Sequence, residues 1–229
     1  MLNLISICIP CYEMNGNGVK FLTQLLQTIE KQTYKNFEVV ISDHSENTEI
    51  EAVSKKYKHL NTKYLKNTKG KGSSSANINN ALDNATGDLI KIMFQDDFFV
   101  NVNALEFILK LPEKNNWGVC GCVHSDEKAD NFYNKLIPYW QDSIKDGINT
   151  IGGPSVTFFK PTSIRFDERL LWYMDTDFYV SMYKEHGEPY IEPKALICSR
   201  EAKTRVSSTL ITDKIVKAEE LILKEKYHV

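Results

Sequence analysis

Hydrophobic positions along the first hundred residues follow two alternating patterns. Short apolar runs rich in β-branched residues are typical of strands, and apolar residues spaced three and four positions apart are typical of amphipathic helices. The runs predict strands at Leu4–Ile9, Phe37–Ile41, Asn61–Leu65 and Leu89–Phe94. The helical spacing and composition predict helices at Val19–Gln32, Glu46–Tyr57 and Ser74–Ala85. This alternation favours a parallel sheet with helices on its faces.

The second half of the chain has a less regular pattern. It predicts strands and helices at Asn103–Leu111 (helix), Gly118–His124 (strand), Ser155–Phe159 (strand), Asp175–Glu185 (helix), Ala195–Ser199 (strand) and Thr212–Lys226 (helix). A polar segment rich in aromatic residues lies between the first two of these strands and receives no assignment. No stretch rich in Gly, Pro or Ser marks a domain boundary. We therefore expect residues 1–229 to form one α/β domain, in which residues 101–229 continue residues 1–100.

Polar residues follow three of the predicted strands at the point where each strand ends. They are the turn Pro10–Glu13, in which Pro10 is expected to stop the first strand, then Asp43, and the pair Asp96–Asp97. Open α/β sheets bind ligands at this carboxyl edge. Two adjacent carboxylates favour a divalent cation, and their hard oxygen atoms suit Mg²⁺ or Mn²⁺, which in turn suit a diphosphate. The alternative is a polar turn after a core strand, and this stretch alone does not decide between the two.

The composition is that of an ordinary globular protein, with 42% hydrophobic and 25% charged residues among 229. A formal net charge of -2 argues against nucleic acid as a partner, since a general nucleic-acid binder carries a basic excess. The apolar N-terminus Met1–Pro10 has no basic leader, and no run approaches the ~18 apolar residues of a membrane-spanning helix. We therefore expect a cytoplasmic protein.

The cysteines favour a reducing compartment. Their number, five, is odd, and most lie in apolar strand-like runs, as reduced core thiols do. A zinc site made by the pairs Cys8/Cys11 and Cys120/Cys122 is the alternative. It is disfavoured because Cys8 and Cys11 would point to opposite faces of a strand.

Four motifs in the first hundred residues occur in the order and spacing of one enzyme family. They are Ile-Pro-Cys-Tyr at residues 9–12, the stretch at residues 32–45, Ala76–Asn77 followed by Ala85–Asp88, and Gln95–Asp97. Together they resemble the nucleotide-sugar half of family 2 glycosyltransferases with the GT-A fold. Residues 166–168 and 172–178 resemble, more weakly, the acceptor-side segment of that family. The resemblance implies a Rossmann-like, mostly parallel sheet flanked by helices, and sugar transfer with inversion at the anomeric carbon.

The resemblance also implies which residues bind the nucleotide. They are Pro10, Tyr12, Asp43, Asn77 and Gln95. The Tyr12 ring is expected to stack on the nucleobase beside Pro10, and Asp43 to accept a hydrogen bond from the base. Asp43 could instead cap the helix that follows it.

The catalytic residues implied by the resemblance are carboxylates. Asp96 is expected to bind Mg²⁺ or Mn²⁺, with Asp97 as its neighbour, and Asp175 to deprotonate the acceptor hydroxyl. Asp177 is the rival candidate for this base. Both Asp175 and Asp177 lie where a helix is predicted to begin, so either could be a helix cap.

Three residues are candidates for binding the acceptor. The pair Gly152–Gly153 indicates a turn with φ > 0, and the backbone at Gly153 could approach a ligand closely. Trp172 and Tyr173 could stack on a sugar ring or pack in the core. The terminal helix is basic and amphipathic, which is typical of a docking helix and also allows peripheral contact with a membrane that carries a lipid-linked acceptor.

Four positions depart from the family pattern. Phe94 replaces the first Asp of Asp-x-Asp, His44 the second Asp of an Asp-Asp pair, Ala76 a basic residue, and Met174 an acidic residue. We expect a sugar to move from a nucleoside diphosphate sugar, with UDP favoured, to a hydroxyl of a glycan or lipid-linked saccharide. A sugar-phosphate nucleotidyltransferase and a non-catalytic carbohydrate-binding relative are the alternatives. The sequence does not indicate an oligomeric state.

Overall fold

A computed structural model describes residues 3–201 and 211–227 of the chain. Strands β1 to β9 are Ile5–Cys11, Phe37–Asp43, Thr62–Lys66, Leu89–Ile92, Phe98–Phe99, Trp117–Ser125, Phe132–Leu136, Thr157–Phe159 and Tyr190–Arg200. Helices α1 to α6 are Gly18–Glu30, Glu49–Lys56, Ser74–Asp83, Ala104–Ile108, Met174–His186 and Asp213–Tyr227. Among the residues described, no helix combines the length and the apolar character that a membrane crossing requires.

The strands of the described ranges form one sheet in the order β3-β2-β1-β4-β8-β6-β9-β5, with β7 beside β6. The four predicted strands of the first half, β1 to β4, pair in parallel, as predicted. The other five strands make the sheet mixed, because β6 and β9 are parallel while β8, β7 and β5 join antiparallel. The α/β fold expected from the sequence is confirmed.

Burial on both faces of the sheet explains why the first strands are mostly apolar. Every residue of β1 and β2 is buried, as in parallel sheets covered on both sides. The buried face of α1 carries Phe21, Leu22, Leu25, Leu26 and Ile29 at helical spacing. Each such side chain contributes roughly 1.5–3 kcal/mol when it is removed from water. Truncation of Leu25 to Ala would therefore cost about 2–5 kcal/mol.

The first strand does not end at Pro10, so that prediction is wrong. β1 continues to Cys11, and Pro10 pairs with Ser42 of β2. On its other side β1 pairs with β4 only as far as Cys8. Pro10 therefore lies where β1 has a single neighbour, and a proline is tolerated at such an edge because its missing N–H is not needed.

Other element boundaries shift for local reasons. β4 ends at Ile92, not Phe94, since the Phe94 N–H leaves the ladder and donates to Ser155 Oγ at 2.8 Å. The unassigned aromatic segment contains β7 and a short 3-10 turn at Asp142–Asp146. β5 has two residues, too few to produce a periodic pattern. All five cysteines are buried free thiols, as expected.

Candidate active site

A cavity of about 690 Å³ lies at the carboxyl ends of β1, β2 and β4, within the roughly 300–1,000 Å³ typical of ligand pockets. The predicted site residues that line it are Pro10, Tyr12, Asn77, Gln95, Asp96, Asp97, Gly153, Trp172 and Asp175. They come from both halves of the chain. The sheet therefore brings the donor-side and the acceptor-side candidates to one cavity.

The side-chain amide of Gln95 holds the backbone of Tyr12. Its Oε1 accepts from the Tyr12 N–H at 2.5 Å, and its Nε2 donates to the Tyr12 carbonyl at 2.9 Å and to the Gly18 carbonyl at 3.3 Å. Gln95 is only 2% exposed, and each of these bonds contributes a net ~0.5–1.5 kcal/mol. Gln95 therefore positions the loop that carries the Tyr12 ring.

The loop between β1 and α1 has an unusual backbone. Met14 and Asn15 have φ values of 45° and 51°, and each such conformation costs on the order of 1–3 kcal/mol. Both residues line the cavity. Glycine is required at position 18, because a Cβ there would lie 2.3 Å from the Tyr12 carbonyl oxygen. Strain of this kind at a cavity wall is typical of ligand-binding loops.

Asn77 connects the ends of the first two strands. It is 3% exposed, and from α3 it donates to the Cys11 carbonyl at 2.9 Å and accepts from Ser42 Oγ at 2.7 Å. These contacts fix the ends of β1 and β2 relative to α3 beside the cavity, which Asn77 itself lines.

Asp43 is fully buried and is not among the residues that line the cavity, whereas the next residue, His44, lines it. The contacts of the Asp43 carboxylate are within the protein. Its Oδ1 accepts from the Ser45 N–H at 2.8 Å and its Oδ2 from the Tyr64 hydroxyl at 2.7 Å. The alternative that Asp43 caps α2 is wrong, since Asn47 Oδ1 accepts from the Glu49 N–H at the start of that helix. Contact between Asp43 and a nucleobase stays a prediction.

Arg200 forms hydrogen bonds with both residues of the acidic pair Asp96–Asp97. Its backbone N–H donates to Asp97 Oδ1 at 3.1 Å, and its Nε donates to the Asp96 carbonyl at 2.9 Å. The guanidinium lies between two aromatic rings, 4.6 Å from the Phe21 centroid and 5.1 Å from that of Phe98. Burial lowers the pKa of Arg200. Asp97 is 8% exposed, whereas Asp96 is half-buried and faces the cavity.

The acidic pair fits a divalent cation through its oxygen donors. No group of three or more His, Cys, Asp or Glu side chains is placed to hold a metal within residues 3–201 and 211–227. Mg²⁺ is often held by one or two carboxylates together with substrate phosphates. Both aspartates line the cavity, and Asp96 is the more exposed of the two.

Asp175 lies in the first turn of α5 and lines the cavity. Its Oδ2 accepts from Asn149 Nδ2 at 2.7 Å and its Oδ1 from the Thr176 N–H at 2.8 Å. Burial raises the pKa of Asp175 from 3.8 to about 6, although both hydrogen bonds oppose the shift. A carboxylate that titrates near neutral pH is suited to act as a general base.

Asp177 lies outside the cavity lining. It is 1% exposed, forms an ion pair with Lys226 at 2.5 Å and accepts from the Tyr227 hydroxyl at 2.6 Å. Its carboxylate thus binds the terminal helix α6. The structure favours Asp175 over Asp177 as the candidate base.

The three acceptor candidates have different environments. Trp172 is 40% exposed on the cavity wall. Tyr173 lies outside that wall and packs on Gly147, where a Cβ would lie 2.3 Å from its ring. Gly153 lines the cavity with an ordinary φ of -68°, and the positive φ of the predicted turn, +111°, belongs to Gly152.

Sequence reasoning missed Arg200 and Glu219. Glu219 of α6 is 4% exposed and binds the backbone that precedes α5. Both residues look like ordinary surface charges in the sequence. What distinguishes them is that their side chains are buried against backbone groups of a distant segment. That burial is visible only in the tertiary fold.

A family model, glycosyl transferase family 2, matches residues 6–174. The Escherichia coli enzyme WfgD, a UDP-Glc:alpha-D-GlcNAc-diphosphoundecaprenol beta-1,3-glucosyltransferase, is 31% identical over 147 residues, which cover 58% of this chain and 55% of that protein. An uncharacterised glycosyltransferase of Rickettsia typhi is 24% identical over 225 residues, which cover 91% and 67% of the two chains.

Solved structures share the fold. S. aureus TarS 1-349 in complex with UDP-GlcNAc has a TM-score of 0.74 at 16% identity, covering 98% of this chain and 66% of that one. The mannosyltransferase PcManGT from Pyrobaculum calidifontis, in complex with GDP-Man and Mn²⁺, has a TM-score of 0.62 at 16% identity, covering 87% and 57%. The chain thus spans about two thirds or less of these chains. With its GT-A fold and the family match over most of its length, the chain belongs to glycosyl transferase family 2.

Proposed function

We propose that the protein transfers a sugar from a nucleoside diphosphate sugar, UDP-sugar in the first place, to a hydroxyl of a glycan or lipid-linked saccharide. The observation that carries this proposal is a single cavity that is lined both by the acidic pair Asp96–Asp97 and by Asp175 and Trp172. The family match favours sugar transfer over the nucleotidyltransferase alternative.

The donor assignment draws on relatives. WfgD is named for UDP-Glc, and TarS was solved with UDP-GlcNAc, whereas PcManGT was solved with GDP-Man. In this chain Tyr12 offers a partly exposed ring beside Pro10 on the cavity wall, which suits stacking on a base. GDP-sugar is therefore the competing donor class.

Asp96, with Asp97 beside it, would hold Mg²⁺ or Mn²⁺. A bound cation of this kind would neutralise charge that develops on the leaving diphosphate. Arg200 supports the pair by binding the backbone carbonyl of Asp96 and the carboxylate of Asp97. PcManGT, which shares the fold, was solved with Mn²⁺.

The proposed reaction is a single displacement with inversion. The acceptor oxygen forms a bond to the anomeric carbon as the bond from that carbon to the diphosphate oxygen breaks, and Asp175 takes the hydroxyl proton. General-base catalysis of this kind contributes typically ~10²–10⁴-fold. The raised pKa of Asp175 and its place on the wall support this role.

One relative and helix α6 bear on the acceptor and on the location of the protein. The name of WfgD gives its acceptor as a diphosphoundecaprenol-linked sugar, which supports a lipid-linked acceptor. Helix α6 buries Glu219 and Leu223 and leaves Lys214, Lys217 and Lys224 exposed. That exposed basic face supports peripheral contact with anionic lipid at the cytoplasmic side of a membrane.

A thermal-shift experiment tests the donor site. The wild-type protein, Asp96→Asn and Asp142→Asn are compared with UDP, GDP, CDP and TDP, each with and without Mn²⁺. Asp142 is the control, since its side chain is 82% exposed on the surface. A ligand at about 100 times its Kd adds ~2.7 kcal/mol of stability, which for this size corresponds to about 5–11 °C.

We expect UDP with Mn²⁺ to give the largest shift, and expect Asp96→Asn, but not Asp142→Asn, to abolish its metal-dependent part. A shift with GDP and with no other nucleotide would change the proposed donor from a UDP-sugar to a GDP-sugar and would leave the proposed sugar transfer unchanged. No shift with any nucleotide in a folded sample would favour the non-catalytic relative.

A further inference from the structure

The carboxylate of Glu219 binds three consecutive backbone N–H groups. Oε1 accepts from Leu171 at 2.8 Å, and Oε2 accepts from Trp172 at 2.9 Å and from Tyr173 at 3.0 Å. Glu219 is on α6, nearly fifty residues further along the chain, and is 4% exposed. Hydrogen bonds to an ionised carboxylate are about twice as strong as neutral ones.

The segment that Glu219 binds leads directly into the candidate acceptor side of the site. It contains Trp172, ends where α5 begins at Met174, and is followed at once by Asp175. The backbone just before α5 is therefore held by a side chain of α6, so the placement of Trp172 and of the following Asp175 depends on that helix.

Helix α6 is held in place without Glu219. Lys226 pairs with Asp177 at 2.5 Å and with Asp167 at 3.1 Å, the Tyr227 hydroxyl donates to Asp177, and Leu223 is buried. Burial of a carboxylate is costly unless it is fully hydrogen-bonded. An apolar residue at position 219 would dock the helix without that cost but would leave the three N–H groups without their acceptor.

We propose that Glu219 is a positioning residue for the acceptor side of the reaction. It holds Trp172 against the sugar ring of the acceptor and Asp175 at the distance from which it takes the hydroxyl proton. This inference rests on the proposed function. Helix α6 then contributes this one positioning residue to the acceptor side.

The test compares Glu219→Gln with two controls on the same helix. Glu225→Gln removes the same charge from an exposed position. Tyr227→Phe removes an anchor of α6, the bond to Asp177, and leaves Glu219 intact. Glutamine keeps the size of the side chain but has one acceptor oxygen in place of two. Should Glu219→Gln not fold, Glu219→Asp keeps the charge and shortens the reach.

For Glu219→Gln we expect the KM for acceptor to rise and kcat to fall, each about tenfold, since misplacement by about 1 Å can cost up to 10²-fold. The Kd for UDP should stay within about twofold of wild type. Neither control should change the KM for acceptor.

The pH profile gives a readout that loss of stability alone would not move. The charge of Glu219 raises the pKa of Asp175, so its removal should move the acid limb of kcat/KM to lower pH. Tyr179 faces Asp175 from α5. The titratable groups on the other cavity walls are Tyr12, Glu13, His44, Lys71, Asp96 and Asp97, and all are unchanged in these variants.

Amide hydrogen exchange at residues 171–173 needs no turnover and separates two kinds of failure. Faster exchange in Glu219→Gln but not in Tyr227→Phe supports the positioning contact. Unchanged exchange, or equal kinetic losses in Glu219→Gln and Tyr227→Phe, overturns the inference while the proposed function stands. Absence of transfer by the wild-type protein with every donor overturns the proposed function itself, and the acceptor role of Glu219 with it.

Discussion

The Nε of Arg200 donates a hydrogen bond to the backbone carbonyl of Asp96 at 2.9 Å, across 104 residues of chain. The same residue reaches the Asp97 carboxylate through its own backbone N–H. The last residue of β9 therefore determines where the two carboxylates after β4 are placed. In the proposed metal site, a bound cation would therefore depend on Arg200, although Arg200 is not one of the proposed ligands.

We expect Arg200→Lys to weaken Mn²⁺-dependent nucleotide binding and to lower stability. Lysine lacks the planar fork that reaches the Asp96, Glu127 and Gln24 oxygens together. Loss of these buried bonds should cost about 2–4 kcal/mol, or roughly 5–15 °C in Tm for a chain of this size. Thermal unfolding without ligand, followed by Mn²⁺ titration in the presence of UDP, measures the two effects separately.

Arg169→Lys is the comparison, because the Arg169 side chain is 61% exposed in its pair with Asp167. It should lower Tm by less than Arg200→Lys does, since Lys226 also pairs with Asp167 and remains in that variant. An Arg200→Lys protein with wild-type Tm and wild-type Mn²⁺ affinity would contradict the assigned role of Arg200.

The Gln95–Tyr12 contact predicts a loss of nucleotide binding in Gln95→Leu. Leucine has a similar size but cannot bind either backbone group of Tyr12, and each unsatisfied group costs about 1–3 kcal/mol. We expect the Kd for UDP to rise at least tenfold, as measured by isothermal titration calorimetry. Gln24→Leu is a weaker comparison, since Gln24 contacts Arg200 and not the loop. An unchanged Kd for UDP in Gln95→Leu would mean that the loop carrying Tyr12 keeps its conformation without the Gln95 hydrogen bonds.

The pKa of Asp175, about 6, predicts the pH dependence of transfer. A base must be ionised, so kcat/KM should rise with pH through about 6 and then level off. The Asn149 side chain donates to the carboxylate and so lowers this pKa. Asn149→Ala should therefore move the acid limb to higher pH, opposite in sign to Glu219→Gln. If the acid limb of kcat/KM lies at the same pH in both variants and in wild type, a group other than Asp175 determines it.

Much of the donor half could be predicted from local pattern. β2 and α1 have strong periodicity, and the parallel sheet then brings Tyr12, Asn77 and Asp96 to one edge because all three follow strands or open helices there. Strand boundaries were less predictable. Pro10 remains in β1 because a neighbouring strand stops early, which is a property of the sheet and not of the local sequence.

The supporting contacts could not be predicted, because each joins distant segments. Arg200 and Glu219 are charged residues in stretches without a motif, and their burial becomes visible only once β9 and α6 are packed. Asp43 and Gln95 illustrate the converse. Their positions were anticipated, but the structure commits their polar atoms to the backbone or to neighbouring side chains.

Asp175 and Asp177 could not be separated as base candidates in the sequence, and a pair of matched substitutions separates them. Asp175→Asn removes the carboxylate on the cavity wall, so kcat should fall ~10²–10⁴-fold. Its raised pKa means that folding disfavours the ionised form, which is the form present above about pH 6, so this variant should be as stable as wild type or more stable at pH 7. Asp177→Asn should keep kcat within about threefold and lower Tm, because Lys226 and Tyr227 lose their buried partner. Steady-state kinetics and thermal unfolding of both variants at pH 7 give the answer. Loss of turnover in Asp177→Asn with Asp175→Asn still active would transfer the role of base to Asp177 and require α6 to move away from it.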